Sequence, residues 1–99
     1  MSNAKDAATT GAGKTTISLY LTEILRTNML FIASRTSLIQ NLLKDVNQFG
    51  IDLNDVCEIN AEWLKNPVIK PVMYATIQAL SDEILKELFD KVGLLVADE

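Results

Sequence analysis

Apolar residues along this chain occur in two patterns, as continuous runs and as repeats at helical spacing. Runs of strand length that are apolar at almost every position fill 29–33, 72–76 and 93–97, and the shorter segment V-C-E-I at 56–59 also reads as a strand. Such runs are typical of parallel strands, because helices cover both faces of a parallel sheet. The pattern therefore predicts four strands.

Three segments with apolar residues at helical spacing lie between these runs. The first begins at Thr15 with Asn28 as its expected stop, the second has the capping-box form from Ser37, and the third is capped by Ser81. Gly50 supplies a left-handed stop to the second helix. The apolar positions of the first helix are Ile17, Leu21, Ile24 and Leu25, and those of the second are Leu38, Leu42, Val46 and Phe49. The third helix is expected to have an inner face of Ile84, Leu85, Leu88 and Phe89.

The stretch from 60 to 71 interrupts this alternation. Pro67 and Pro71 exclude a regular helix between them, so we expect an irregular crossover or a strand edge there. Trp63 is interpreted as a packing residue that covers the crossover, and the alternative is a base-stacking role. Strands that alternate with helices predict an α/β fold with a mainly parallel sheet, in which ligands bind beyond the carboxyl ends of the strands.

Composition places the chain among small globular domains. Its 99 residues are 48% hydrophobic and 22% charged, and no apolar run approaches the about 18 residues that a membrane span needs. Residues 1–4 resemble an expression-vector scar, which leaves 5–99 as the expected domain. A net charge of −4 argues against a surface dominated by nucleic-acid binding, so basic contacts must be local.

The chain has one cysteine, Cys57, and no histidine. These counts exclude a disulfide scaffold, a Ser-His-Asp triad and a histidine-ligated metal site, and they favour a cytoplasmic location. Because no histidine can activate its thiol, Cys57 is interpreted as a small strand residue and not as a nucleophile.

Residues 8–15 read A-T-T-G-A-G-K-T, which fits the phosphate-binding loop pattern once alanine is allowed at its first position. Small residues at 11–13 let successive backbone N–H groups point into one concavity, and the following helix adds its dipole. Lys14 would reach the β- and γ-phosphates of ATP, and the Thr15 hydroxyl would bind Mg²⁺. The predicted nucleotide-binding residues are Thr10, Gly11, Ala12, Gly13, Lys14, Thr15 and Thr16.

Three further segments follow the phosphate-binding loop along the chain. They are L-F-I-A-S-R at 30–35 followed by Leu38 and Gln40, V-M-Y-A-T-I-Q-A-L at 72–80, and L-L-V-A-D-E at 94–99. With residues 8–15 as motif I, these segments look like motif Ia, a segment of the restriction-enzyme branch and the start of the DEAD/DEAH motif II. In this order the four segments resemble the first RecA-like motor domain of superfamily 2 helicases and translocases, which is a three-layer αβα domain. The resemblance covers almost the whole chain.

Roles for further residues come from this resemblance. It implies that Asp98 holds Mg²⁺ through a water and that Glu99 orients or deprotonates the attacking water. The expected catalytic residues are therefore Lys14 and Glu99. It also implies that Arg35 and Thr76 contact the backbone of a nucleic-acid strand, with DNA favoured over RNA. Arg35 as an ordinary surface or salt-bridge residue and Thr76 as a helix cap are the alternatives.

The expected function is the ATP-binding portion of an ATP-dependent helicase or DNA translocase of restriction-enzyme motor type. The chain lacks the later motor motifs of this class, so it is expected to be an incomplete part of motor domain 1, without turnover by itself and able to self-associate through exposed sheet edges. Two alternatives stay open, namely another P-loop enzyme such as a nucleotide kinase or an AAA-type ATPase, and a non-catalytic P-loop binding module.

Overall fold

The computed structural model describes residues 12–98 of the chain, and the side chains of residues 15–97. Strands and helices alternate along this part of the chain, as the sequence predicts. The strands are β1 (Met29–Ala33), β2 (Val56–Glu58), β3 (Val72–Thr76) and β4 (Leu94–Asp98). The helices are α1 (Ala12–Leu25), α2 (Thr36–Phe49), α3 (Ala61–Lys65) and α4 (Asp82–Leu88), with 3-10 turns at Leu53–Asp55 and Ile77–Ala79.

The described strands form a single sheet in the order β2-β3-β1-β4, and every neighbouring pair is parallel. Met29 at the start of β1 pairs with Val72 of β3 on one side and with Leu94 of β4 on the other. In the described sheet, β2 and β4 are therefore the edge strands. This architecture confirms the predicted α/β class with a parallel sheet, although β2 ends one residue before its predicted end and β4 begins and ends one residue later than predicted.

Helices cover both faces of the sheet and create two apolar clusters. Neighbouring residues of a strand point to opposite faces, so Phe31 joins one cluster and Leu30 the other. Burial on both faces explains why β1 reads as a continuous apolar run. The first cluster contains Leu19, Met29, Phe31, Ala33, Ile39, Leu42, Val46, Val72 and Val96. The second contains Leu30, Ile59, Trp63, Met73, Ala75, Ile84 and Leu88.

Helix α1 is present, but the apolar residues whose spacing predicts it do not form its buried side. They are exposed, from 37% for Leu21 to 63% for Leu25. The buried side consists of Thr15, Ser18, Leu19 and Thr22. The Thr22 hydroxyl donates a hydrogen bond to the Ser18 carbonyl oxygen at 2.8 Å, so its burial leaves no unsatisfied donor. Apolar residues lie on several sides of this helix, and its periodicity therefore does not select a face.

Helix ends show which local signals are decisive. Helix α2 begins at Thr36 with Arg35 in the N-cap position and no side-chain cap, so the predicted capping box at Ser37 is wrong. Gly50 adopts the predicted left-handed conformation with φ 86°, and Ser81 caps α4 by accepting a hydrogen bond from the Ile84 N–H at 3.3 Å.

The predicted inner face of α4 is only partly correct. Ile84 and Leu88 are buried, whereas Leu85 is 45% exposed and Phe89 is 87% exposed. The helix spans only seven residues, so it presents one narrow side to the sheet. A helix this short buries positions four residues apart, and the residues beside them face solvent.

The segment after β2 contains one short helix where an irregular crossover was expected. Asn60 caps α3 by accepting a hydrogen bond from the Trp63 N–H at 3.0 Å, and the helix ends before Pro67. Trp63 is 6% exposed, and its indole N–H donates to the Val68 carbonyl oxygen at 2.8 Å. The packing role predicted for Trp63 is therefore confirmed, because a buried indole is not free to stack on a base. None of the described helices is long and apolar enough to cross a bilayer.

Candidate nucleotide site at the carboxyl edge of the sheet

Three strands end at the same level on one edge of the sheet. Ala33, the last residue of β1, pairs with Thr76 at the end of β3 and with Asp98 at the end of β4. Neighbouring strands are about 4.8 Å apart, so the backbone positions of Thr76 and Asp98 are separated by about 10 Å. Arg35 follows the end of β1 by two residues. The carboxyl edge thus brings three of the predicted site residues close together along the backbone.

Helix α1 runs from this edge toward the opposite one. Its last turn is at the amino edge, because Thr27, just after the helix, lies beside Gly93 at the start of β4. A helix of 14 residues is about 21 Å long, which exceeds the length of a five-residue strand. The first turn, with Lys14, Thr15 and Thr16, is therefore directed toward the carboxyl edge.

This arrangement gives the edge a defined electrostatic character. The first turn of the helix carries the positive end of its dipole, which favours a bound anion. A threonine hydroxyl and a carboxylate are hard oxygen donors of the type that Mg²⁺ prefers. Residue types at this edge therefore suit a metal-bound phosphate.

The predicted residues differ in how far the structure describes them. Ala12, Gly13 and Lys14 belong to the first turn of α1 and Asp98 ends β4, and only their backbone positions are described. Thr15 is buried with 3% exposure, and Thr16 is exposed. Thr10, Gly11 and Glu99 lie outside the described residues.

Of the alternatives for Arg35 and Thr76, the structure does not support a salt bridge for Arg35 or a side-chain cap for Thr76, whereas the exposure of Arg35 agrees with an ordinary surface residue. Arg35 is exposed, makes no capping hydrogen bond and forms no ion pair with any residue in the described range. Thr76 precedes the 3-10 turn Ile77–Ala79, and its side chain does not cap that turn. Neither side chain therefore has a structural role in this part of the chain that would exclude contact with a ligand.

A cavity of about 670 Å³ opens at the other edge of the sheet. Its lining includes Thr22 from α1, Arg26 just after that helix, Asp52 and Lys70. It lies beside the amino-terminal ends of β1 and β3, one sheet length away from the predicted nucleotide site. Ligands of parallel α/β sheets bind at the carboxyl edge, and this cavity at the amino edge is therefore not the candidate site.

Two described groups have shifted pKa values, and both lie on the β2 side of the sheet. Burial raises the pKa of the Cys57 thiol, and the positive charge of Lys70 partly opposes that effect. Burial, with the charges of Glu58 and Cys57, raises the pKa of Tyr74. A thiol kept protonated in this way is a poor nucleophile, which agrees with the interpretation of Cys57 as a strand residue.

Sequence reasoning missed the residues that fix the start of β4. The Asn28 side chain accepts a hydrogen bond from the Gly93 N–H at 2.6 Å and donates one to the Lys91 carbonyl oxygen at 2.7 Å. A Cβ atom on Gly93 would overlap the Thr27 hydroxyl oxygen. The sequence signals only a helix stop at Asn28, because nothing local indicates its partners 63 and 65 residues later.

A parallel α/β sheet whose strands end at the level of the first turn of α1 is consistent with a RecA-like P-loop domain. The family model described as type III restriction enzyme, res subunit, matches residues 5–99. The chain belongs to this family, which has a superfamily 2 helicase-like, ATP-dependent motor domain. Comparisons with curated proteins and with solved structures found no match.

Proposed function

We propose that this chain forms the ATP-binding part of a DNA translocase or helicase of restriction-enzyme motor type. Residues 5–99 would belong to its first motor domain, in a larger cytoplasmic protein, with residues 1–4 as a vector scar. The observation that supports this proposal best is the shared edge of the sheet, where the ends of β1, β3 and β4 and the first turn of α1 come together. The family match supports the same assignment.

In this proposal each site residue has a separate task. The backbone N–H groups from Thr10 to Gly13 hold the phosphates, and Lys14 neutralises charge on the β- and γ-phosphates. Thr15 and Asp98 would hold Mg²⁺, which when bound supplies further charge neutralisation. Glu99 would orient the attacking water or accept its proton.

Arg35 and Thr76 would contact the phosphate backbone of DNA that crosses the carboxyl edge. Arg35 is exposed and has no ionic partner among the described residues, so its charge is available for such a contact. Contacts of this kind are salt-dependent and carry no sequence information. They also fit the net charge of −4, because a few local cations are sufficient.

We expect the 99-residue chain to bind ATP·Mg without steady-state turnover. Hydrolysis in this class depends on an arginine supplied in trans, which is worth about 10³–10⁵ in rate. The edge strands β2 and β4 offer unpaired backbone groups in the described sheet, so self-association through these edges is part of the proposal.

A nucleotide titration tests the proposed site. Binding of a fluorescent ATP analogue is measured with Mg²⁺ and with a chelator, for the wild-type chain and for Lys14→Ala. Lys44→Ala, an exposed lysine on α2, is the matched control for the loss of one positive charge. We expect Mg²⁺-dependent binding that Lys14→Ala abolishes and Lys44→Ala preserves. Binding without metal dependence would favour a degenerate P-loop module, and equal binding by all three proteins would contradict the proposal.

A further inference from the structure

The junction between α1 and β1 holds the start of β4 through a single residue, Asn28. Its side-chain oxygen accepts from the Gly93 N–H at 2.6 Å, and its side-chain nitrogen donates to the Lys91 carbonyl oxygen at 2.7 Å. Its backbone carbonyl accepts from the Leu94 N–H at 3.0 Å. One asparagine thus satisfies three backbone groups of the segment that leads into β4.

Gly93 adds a steric restraint at the same place. A Cβ atom on residue 93 would overlap the Thr27 hydroxyl oxygen and lie 3.0 Å from the Thr27 Cβ. Glycine at residue 93 lets the backbone pass this close to the neighbouring side chain. Any side chain at this position would require Thr27 to move.

Apolar packing alone does not fix the register of β4. In the described sheet this strand pairs only with β1, and Leu95 is 62% exposed. A shift by two residues would place Leu94 opposite Phe31, where Val96 now lies, and would keep the apolar alternation. The same shift would move the end of β4 by about 7 Å along the sheet. It would also bring Lys91 to the position beside Thr27, where its side chain would collide with the Thr27 hydroxyl unless Thr27 moved.

The opposite shift fails for a different reason. It would place Asp98 opposite Phe31, whose side chain is 1% exposed, and burial of an unpaired carboxylate is costly. It would also bring Leu95 to the position beside Thr27. The three hydrogen bonds of Asn28, the contact between Thr27 and Gly93 and the cost of burying Asp98 thus all favour the observed register, with Asp98 level with Ala33.

We propose that Asn28, with Thr27 and Gly93, is a register lock that positions Asp98 at the nucleotide site from the opposite edge of the sheet. The lock acts through β4 and does not touch nucleotide, so Asn28 is a positioning residue. Its link to Mg²⁺ rests on the proposed function, whereas its effect on register does not.

Two variants and one rescue test the lock in the 99-residue chain. Asn28→Ala removes both side-chain hydrogen bonds, and Gly93→Ala introduces the overlap with Thr27. Thr27→Ala in the Gly93→Ala background removes the hydroxyl that causes the overlap. Asn41→Ala, an exposed asparagine on α2, is the matched control.

The first readout is the register, measured by cross-strand nuclear Overhauser contacts. We expect Asn28→Ala and Gly93→Ala to weaken the contact between Phe31 and Val96, because the start of β4 is no longer held in place. No contact between Phe31 and Leu94 should replace it, since that register would bring Lys91 beside Thr27. Thr27→Ala with Gly93→Ala should restore the wild-type pattern, and Asn41→Ala should retain it. Wild-type contacts in folded Asn28→Ala and Gly93→Ala would overturn the register lock. If Gly93→Ala does not fold, restoration of folding by Thr27→Ala supports the lock, and failure to restore it counts against it.

The second readout is the gain in nucleotide affinity that Mg²⁺ produces. We expect Asn28→Ala to reduce this gain by about tenfold, the effect typical of losing an indirect support of a metal ligand, while affinity without metal stays at the wild-type level. A weakened contact between Phe31 and Val96 with an unchanged Mg²⁺ gain would refute the positioning of Asp98. A weakened contact in a protein whose wild type shows no Mg²⁺ gain would instead refute the proposed function and leave the register lock in place.

Discussion

Replacing Leu19 and Ile24 by alanine, one at a time, tests which side of α1 faces the sheet. Leu19 is 1% exposed and belongs to the cluster with Met29 and Phe31, whereas Ile24 is 55% exposed. Truncation of a fully buried leucine costs about 2–5 kcal/mol, from lost transfer energy and from the cavity left behind. For Ile24 less than half of the side chain is covered, so the loss is about 1 kcal/mol, and the better helix propensity of alanine returns roughly 0.4 kcal/mol.

The assay is urea unfolding followed by far-UV circular dichroism and by the fluorescence of Trp63, the single tryptophan. With a urea slope of about 1 kcal/mol per molar for a domain of this size, Leu19→Ala should lower the midpoint by about 2 M or more. Ile24→Ala should lower it by about 0.6 M. A larger midpoint loss for Ile24→Ala than for Leu19→Ala would refute the orientation of α1 and support the face that periodicity alone suggests.

Three further predictions concern other parts of the chain. Trp63→Phe should lower the free energy of unfolding by about 1 kcal/mol, because the Val68 carbonyl loses its hydrogen-bond donor. Nucleic-acid affinity should stay unchanged, and a fall in that affinity would contradict the packing role. Alkylation of Cys57 at pH 8 should be slower in the folded chain than in urea. Lys70→Met should slow alkylation further, since removing the positive charge raises the pKa of the thiol. Faster alkylation in Lys70→Met would contradict this electrostatic effect. Arg35→Ala should reduce the slope of log affinity for DNA against log salt by about one, and an unchanged slope would exclude a phosphate contact.

Strand positions were predictable because burial on both faces leaves a direct mark on the sequence. Met29–Ala33 and Val72–Thr76 are apolar at almost every position, and the structure has strands with these same bounds. Gly50 and Ser81 were predictable because a left-handed stop and a helix cap depend only on residues nearby in the chain.

The face of α1 and the length of the buried side of α4 were not predictable, because each depends on which neighbours are present. Leucine and isoleucine residues lie on several sides of α1, so spacing identifies a helix and leaves its orientation open. Phe89 continues the apolar spacing of α4, yet it is 87% exposed because no described element covers it. Apolar spacing reports what a helix could bury, and the fold determines what it does bury.

The candidate site was predictable to the level of the sheet edge. Loop chemistry and the carboxyl-edge rule brought Thr15, Arg35, Thr76 and Asp98 together, and the backbone agrees with that placement. The restraint on β4 was not predictable, since it joins Asn28 to a segment more than 60 residues later. Contacts of that kind leave no periodic signal in a sequence.

The most direct test of a shared metal site uses Mn²⁺·ADP as a paramagnetic probe in the 99-residue chain. The account predicts that Mn²⁺·ADP broadens the backbone amide signals of Thr15 and Thr16 in α1 and of Ala97 and Asp98 in β4, and that Lys14→Ala removes both effects. Thr76, about 10 Å from Asp98 across the sheet, should broaden less. Broadening at only one of the two elements, or at the amino edge around Arg26, would contradict the claim that one metal nucleotide contacts both.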